Sequence, residues 1–362
     1  MKIFRVAVIA ILIHISSAAV AQEHAAVVVG YKYLTGKSTG RTSGLSSNYA
    51  STGILEIKKN LRSGSEDWIN ALNAKSIGAS IFYSDMQGIV RNEHYGNSYG
   101  GIAEIDFQLL EKGGAEILFT PGIGLAYMDR TTFTHPQTYI FGSHLNGVFK
   151  AGLSAEYTMD SSWKINISSQ FIHFSNGSFQ LPNAGVNLLS AGLGISRSFE
   201  TTEKNKIQKK PETLKQNNFE FSAAIGKRGK YQQKKSDDLR FAFYGGYRYQ
   251  LNNILAFKIG SDAVYVQQVF NPEEYVNTIR YLGASNEHWR VGIRIGAEIK
   301  MNKFSFGAGA GRYVYFKSFY DQKTYWNIGL RYYISPIFGV ETALHANKFQ
   351  ADFASAGLFL KL

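Results

Sequence analysis

The sequence of 362 residues contains no cysteine, and only 6 of its residues are proline. The missing cysteine excludes disulfide scaffolds, thiolate zinc sites, iron–sulfur clusters and cysteine nucleophiles. Charged residues make up 18% of the chain, below the usual ~25%. Glycine (36), tyrosine (22) and phenylalanine (25) are abundant instead, and this composition favours a β-rich chain.

No uninterrupted apolar run after residue 21 approaches the ~20 residues of a transmembrane helix. The first 21 residues have the form of a secretory signal. Lys2 and Arg5 precede a short apolar stretch at 6–15, and the small residues of Ala19-Val20-Ala21 form a cleavage site. We therefore expect export and a mature chain that starts at Gln22.

Beyond the signal, stretches of about ten to fifteen residues alternate between apolar and polar side chains, which predicts β-strands. Tight turns and long loops alternate between the stretches. Strands of ~10 or more residues with one apolar face are typical of outer-membrane antiparallel barrels. The only helical turn that we expect lies near 273–282. The predicted strands are 25–37, 51–61, 76–86, 99–112, 115–129, 145–160, 163–176, 186–199, 218–230, 237–252, 255–269, 288–301, 304–317, 321–335, 337–349 and 351–362.

A polar, charged segment at 200–217 divides the sixteen strands into two sets of eight and is interpreted as a periplasmic linker. An even number of strands brings both ends of each set to the periplasmic side. The pattern therefore favours two eight-stranded barrels in tandem, at 22–199 and 218–362. One sixteen-stranded barrel with a long periplasmic turn is the alternative.

Polar side chains cluster on the apolar face of the seventh strand and its neighbour. His173 and Ser175 are two residues apart, so their side chains share a face, and an imidazole can then act as general base for a serine. This face is directed at lipid, near the extracellular rim, because the seventh strand runs outward. A symmetric loop would place Asn187 opposite His173. Polar groups on a lipid-facing surface are costly, which suggests a function.

Each of these residues also has a structural interpretation. Histidine near a membrane interface often contacts headgroups, and serine or asparagine often caps a strand end. A non-catalytic outer-membrane barrel, for adhesion, structure or transport, therefore stays open as the alternative function.

The segments His173-Phe174-Ser175-Asn176-Gly177 and Pro182-Asn183-Ala184-Gly185-Val186-Asn187 resemble the PagL-type lipid A 3-O-deacylases, also called acyloxyacyl hydrolases. The resemblance covers about residues 25–199 and extends to Gly122–Tyr127 and Leu145-Asn146-Gly147. It implies an eight-stranded outer-membrane barrel that hydrolyses the ester-linked acyl chain at the 3-position of lipid A.

The resemblance also implies a site. The family's triad consists of histidine, serine and an acid, which correspond to His173, Ser175 and position 187. Asn187 departs from the family pattern, since asparagine can orient an imidazole but adds no negative charge. For the oxyanion hole we expect the backbone around Asn176 and Gly177, supported by Asn183.

The resemblance also indicates which partners to expect. Lipid A of lipopolysaccharide in the outer leaflet is the expected partner. No metal or other cofactor is needed, and an exported barrel is not expected to bind nucleic acid.

The second half of the chain contains a segment with a similar sequence to this hairpin. Leu344-His345-Ala346-Asn347 is similar to 172–176, and Ser355-Ala356-Gly357-Leu358 is similar to 190–193. Duplication and chance similarity are both open. No serine follows His345 by two residues, and His345 shares a face with Glu341, so we predict a non-catalytic second barrel.

Overall fold

The computed structural model describes residues 27–39, 49–61, 66–86, 95–136, 140–160, 162–199, 217–229, 238–269, 282–318 and 320–362. The predicted signal at 1–21 and all but the last residue of the predicted linker at 200–217 lie outside these ranges. So does the expected helical turn near 273–282, apart from Leu282. Among the described residues, no helix has the length and apolar character needed to cross a membrane.

The described residues form sixteen β-strands, and each predicted strand end agrees with the structure to within three residues. Alternating side chains and glycine- or asparagine-containing turns explain this agreement. The strands are β1 Val27–Thr39, β2 Ala50–Asn60, β3 Ala74–Asp85, β4 Asn97–Lys112, β5 Ala115–Met128, β6 Leu145–Thr158, β7 Trp163–Ser175, β8 Val186–Phe199, β9 Asn218–Arg228, β10 Asp238–Gln250, β11 Leu255–Val266, β12 Trp289–Met301, β13 Phe304–Tyr315, β14 Thr324–Tyr333, β15 Phe338–Asn347 and β16 Gln350–Lys361.

The strands close into two separate barrels. In the first, each strand pairs antiparallel with the next, and β8 returns to β1 along a register from Val27↔Phe199 to Thr39↔Asn187. In the second, β16 returns to β9 in the same way. Two closed eight-stranded barrels are therefore confirmed, and the alternative of one sixteen-stranded barrel is wrong.

Exposure alternates along the strands as the barrel interpretation requires. On β7 and β8 the outward residues Ile167 and Leu193 are each 66% exposed, whereas Asn166, Ser168 and Gln170 are buried in the lumen. Aromatic side chains flank this apolar surface at both ends. Tyr99 stacks on Tyr127 near the long loops, and Tyr157 and Trp163 are exposed near the short turns. Such flanking aromatics are typical of outer-membrane barrels.

A short helix, α1, spans Asp67–Ala71 between β2 and β3. We expected no helix here, and that prediction was wrong. Five residues are too few to produce a recognisable 3.6-residue period. Trp68 and Ile69 are the buried residues that hold the helix in place.

The lumen of the first barrel is ionic toward the short turns. Glu56 lies 2.8 Å from Lys32 Nζ and 3.4 Å from Lys58 Nζ, and Lys58 Nζ lies 3.0 Å from Asp106. Lys150 Nζ donates to Glu104 at 2.8 Å. Buried charges are tolerated when they are paired in this way.

Toward the long loops, the same lumen is apolar. Side chains from all eight strands fill it as one cluster, which we call the lumenal apolar cluster. Phe82 and Phe174 meet within it at 6.0 Å between ring centroids. Outer-membrane barrels usually have a polar interior, so this half of the lumen differs from the usual pattern. The cluster consists of Leu34, Ala50, Ile54, Phe82, Met86, Tyr95, Ile102, Ala126, Met128, Ile140, Phe141, Val148, Ile172, Phe174, Val186 and Leu188.

The ionic network yields a stability prediction. Replacing Glu56→Ala leaves Lys32 and Lys58 without a shared buried carboxylate, so we expect the free energy of unfolding to fall by about 3–5 kcal/mol. Urea unfolding in lipid vesicles measures it. The control Glu111→Ala removes an exposed carboxylate and is expected to change stability by less than about 0.5 kcal/mol. Equal losses in the two variants would contradict this account of the lumen.

Candidate active site

The last five residues of β7 include the predicted nucleophile and the predicted base. Along 171–175, Ile172 and Phe174 are fully buried in the lumenal apolar cluster, while Phe171, His173 and Ser175 alternate with them and are partly exposed. His173 and Ser175 therefore lie on the outward face of the barrel. Tight packing on the inner side fixes the outer side, because a one-residue slip would bury His173 and expose Phe174.

Asn187 lies directly across from His173. The two residues are register partners between β7 and β8, and His173 Nδ1 lies 2.6 Å from Asn187 Oδ1. An amide oxygen can only accept, so Nδ1 carries the proton and donates it to Asn187. The other ring nitrogen, Nε2, is then left as the basic atom. The predicted placement of Asn187 opposite His173 is what the register gives.

Gly185 lies next to the edge of the His173 ring that carries Cε1 and Nε2. A Cβ at this position would lie 3.0 Å from His173 Cε1, 3.1 Å from Phe174 O and 3.7 Å from His173 Nε2. Its φ of +69° also favours glycine. The neighbouring Ala184 N–H donates to Ile140 O at 3.1 Å and holds this end of the loop. Gly185 thus leaves room for the ring in the orientation that the hydrogen bond to Asn187 requires.

The residues expected to support the oxyanion lie in the loop after Ser175. Asn176 N–H donates to Asn183 Oδ1 at 3.1 Å, and Asn176 Nδ2 donates to Gln180 O at 2.8 Å. Gly177 has φ +62°, a conformation that favours glycine. Asn183 therefore accepts a hydrogen bond from the backbone that follows Ser175. The oxyanion assignment of Asn176, Gly177 and Asn183 stays a prediction.

The second barrel has a different arrangement at the corresponding hairpin. Ser355 pairs with Ala343 and His345 pairs with Phe353. If Ser355 is aligned with Ser190, which pairs with Gln170, His345 falls at the position of Ile172. His345 accordingly lines a lumenal cavity of about 70 Å³ together with Glu341, and its Nε2 lies 3.1 Å from Ser355 Oγ.

This offset changes the alignment that the sequence suggested. His345 is one position away from the place of His173, which Ala346 occupies. A β-bulge between His345 and Ala346 accompanies the shift. Within the described residues, no group of three histidine, aspartate or glutamate side chains has a geometry that could hold a metal ion.

Two known protein families match parts of the chain. Residues 55–196 match the family described as lipid A 3-O-deacylase (PagL), and residues 217–361 match the acyloxyacyl hydrolase C-terminal domain. Together the two matches extend over most of the chain. A comparison with curated proteins finds no match.

Solved structures of outer-membrane proteins are similar over most of the chain, but only distantly. A mutant of the Rh. blastica porin is 9% identical, covering 93% of this chain and 99% of that one, with a TM-score of 0.20. An outer membrane channel from Pseudomonas putida is 9% identical (93% and 95% covered, TM-score 0.21). An active-site mutant of outer membrane phospholipase A from Escherichia coli is 9% identical (93% and 89% covered, TM-score 0.18).

The barrel and the family matches define the class of protein: a carboxylic ester hydrolase of the outer membrane. The chain belongs to the PagL-type lipid A deacylase family, and lipid A is its substrate class.

Gly185 provides a test of the imidazole's placement. In Gly185→Ala the added Cβ would press on His173 Cε1 and move the ring away from the position that its hydrogen bond to Asn187 sets. Since displacements of ~1 Å can cost ~10²-fold, we expect kcat for lipid A deacylation to fall by about that factor in a folded barrel.

The matched control is Gly113→Ala. Gly113 has a similar φ of +60° but no neighbouring atom within 4 Å, so it reproduces the backbone strain without the contact. We expect its activity to match that of the unmodified protein. Equal activity of both variants would show that Gly185 does not position His173.

Proposed function

We propose that the protein is a serine esterase that removes the acyl chain ester-linked at the 3-position of lipid A. The observation that carries this proposal is the 2.6 Å hydrogen bond from His173 Nδ1 to Asn187, on the outward face of β7 beside Ser175. It fixes the tautomer in which Nε2 can accept a proton. The proposal assigns Ser175 as nucleophile, His173 as base and Asn187 as the residue that orients the base.

The first half-reaction acylates the enzyme. Ser175 Oγ attacks the carbonyl carbon of the 3-O-linked ester while His173 Nε2 takes the hydroxyl proton. The carbonyl oxygen becomes an oxyanion, for which donors in the loop of Asn176, Gly177 and Asn183 are the predicted stabilisers. The intermediate collapses by breaking the ester C–O bond. His173 gives its proton to the sugar oxygen, which leaves as a hydroxyl.

The second half-reaction releases the fatty acid. Water attacks the acyl-Ser175 carbonyl, and His173 Nε2 takes a proton from that water. Collapse of the second intermediate expels Ser175 Oγ, which regains its proton from His173. The products are lipid A with a free 3-hydroxyl and a free fatty acid, so the enzyme returns to its starting state.

In this proposal, Asn187 takes the place of the triad carboxylate. The amide oxygen accepts the Nδ1 proton and so holds the ring orientation and tautomer, which is half of the carboxylate's role. It supplies no negative charge to stabilise the imidazolium. In a site of low polarity, a neutral partner also avoids the cost of burying a carboxylate.

The position of the site agrees with a substrate in the outer leaflet. Ser175 pairs with Gly147 on β6, which pairs with Leu125 on β5, two residues from the aromatic side chain of Tyr127. Aromatic residues mark the interface of the membrane. Ester groups of a lipid lie at this depth, and water is available there for the second half-reaction.

The second barrel, in this proposal, is non-catalytic. At the places of His173 and Asn187 the register puts Ala346 and Ala351, which cannot move a proton. Residues 1–21 are proposed to be a signal peptide removed on export, and 200–217 a periplasmic linker between the barrels at 22–199 and 218–362.

Mass spectrometry of lipid A tests the proposed reaction. Cells that produce the protein are expected to lose one 3-hydroxyacyl mass from lipid A, and cells that produce Ser175→Ala are not. Ser355→Ala is the matched control, because it removes the serine that contacts the other barrel's histidine and should retain full activity. Unchanged lipid A with folded protein in the outer membrane would favour the non-catalytic barrel.

Asn187 variants test the orienting role. Asn187→Ala removes the acceptor of the Nδ1 proton, so we expect kcat to fall about 10²–10⁴-fold. Asn187→Asp keeps an acceptor of the same size and adds a negative charge, so its kcat should equal or exceed that of the unmodified protein. Rates for both are measured on purified protein in detergent with lipid A. A fully active Asn187→Ala variant would show that Asn187 is not needed to orient His173.

A further inference from the structure

The lumen of the second barrel contains open polar space. The cavity of about 70 Å³ that His345 lines is large enough for several water molecules, and we call it the first cavity. Inward glycines make room for it. A Cβ built at one of them, Gly307, would have only Ala297 O, at 3.6 Å, among described atoms within 4 Å. The charged residues in the wall of the first cavity are Lys258, Asp262, Arg294, Arg331 and Glu341.

A second, smaller cavity continues this space toward the long loops. Its volume is about 10 Å³, and it shares Asp262 and His345 with the first cavity. Arg290 and Asp352 also line it. Polar groups and open space therefore follow one another along this lumen. The first barrel differs, because the lumenal apolar cluster fills the half of its lumen near the long loops.

An ion pair across the barrel closes the second cavity toward the long loops. Asp352 is the extra residue of the β-bulge opposite His345 and Ala346, and the bulge turns its carboxylate into the lumen. This carboxylate accepts hydrogen bonds from Arg240 at 2.7 Å and from Arg290 at 2.6 Å. Asp352 lies on β16 and Arg290 on β12, four strands away in a ring of eight. The pair therefore spans the lumen at this level.

A second group of ion pairs closes the lumen toward the short turns. Glu298 is fully buried, lies 3.3 Å from Arg248 Nη2 and accepts a hydrogen bond from Tyr333 at 2.8 Å. Arg331 on β14 lies 3.3 Å from Glu298 and 2.7 Å from Glu220. Glu298 is on β12 and Glu220 is on β9, three strands apart. Arg331 thus joins separate walls of the lumen.

These ion pairs have alternative partners, so they can rearrange. Lys258 lies 3.1 Å from Glu220 and also contacts Glu298, and it can move toward either carboxylate without losing all its pairing. Proteins with two such arrangements commonly populate the minor one to about 0.1–10%. A rearrangement that separates the pairs at both ends would join the two cavities into one hydrated path through the barrel.

We propose that the second barrel is a pore for small inorganic ions, closed by the ion pairs of Asp352 and Glu298. The wall of the first cavity carries three cations and two carboxylates, so the pore favours small anions such as chloride. An eight-stranded barrel is narrow, and larger solutes are therefore excluded. This activity goes beyond the proposed esterase function and does not depend on it.

Conductance across planar phosphatidylcholine bilayers tests the pore. The purified full-length protein, with folding confirmed by its migration on unheated gels, is expected to open briefly and to show chloride preference in a KCl gradient. Asp352→Asn removes the negative charge that holds Arg240 and Arg290 together. Its mean conductance is expected to rise about tenfold, with a stronger preference for chloride.

A cavity-filling variant tests the path in the opposite direction. Gly307→Leu places a side chain in the first cavity, so its conductance is expected to fall at least about tenfold. The matched control is Gly245→Leu. Gly245 faces outward beside the exposed ring of Phe221, so the same bulk there leaves the lumen open and the conductance unchanged.

A control in the first barrel separates the pore from a general leak. Glu104→Gln neutralises a buried lumenal carboxylate that accepts a hydrogen bond from Lys150 at 2.8 Å. Conductance is expected to stay unchanged in this variant, because the lumenal apolar cluster still fills part of that lumen.

Three results would overturn the pore. The first is a folded unmodified protein that does not conduct. The second is a folded Gly307→Leu variant that conducts as well as Gly245→Leu, a comparison that holds even if Asp352→Asn fails to fold. The third is an equal rise of conductance in Glu104→Gln and Asp352→Asn. Deacylation of lipid A is measured separately, so the proposed function stands or fails independently of these results.

Discussion

The antiparallel register between β7 and β8 is the constraint on which the site depends. It sets His173 opposite Asn187 and allows the 2.6 Å hydrogen bond that orients the imidazole. The same register puts Ile172 against Leu188, inside the barrel. Because side chains alternate between faces, a slip of one residue would turn His173 into the lumen. The proposed esterase geometry is thus a property of strand pairing more than of any flexible loop.

The two halves of the first lumen hold that register in different ways. Near the site, side chains on the inner faces of β7 and β8 belong to the lumenal apolar cluster. Close packing of this cluster limits movement of the two strands, and so of the outward side chains that they carry. Toward the short turns, paired charges around Glu56 and Glu104 fill the lumen instead. Removing one partner of such a pair would leave an uncompensated buried charge, which is costly.

Sequence patterns predicted much of this structure. Period-2 alternation located all sixteen strands, and the polar segment at 200–217 indicated their division into two barrels. The placement of Asn187 opposite His173 followed from loop symmetry. Two features were beyond the patterns: α1 at Asp67–Ala71 is too short to show a helical period, and two inward apolar residues, Ile172 and Phe174, are too few to predict the lumenal apolar cluster. The offset of His345 depends on the cross-strand register of β15 and β16, which alternation cannot reveal.

In the proposed function, Ser175 is an activated nucleophile at the outer rim of the first barrel. The most direct measurement is to treat outer membranes that contain the protein with a fluorophosphonate and to locate the adduct by peptide mass spectrometry. We expect a single adduct on Ser175, which is lost when His173 is replaced by alanine. An adduct on another residue, or an unmodified Ser175 in a protein that still deacylates lipid A, would contradict it.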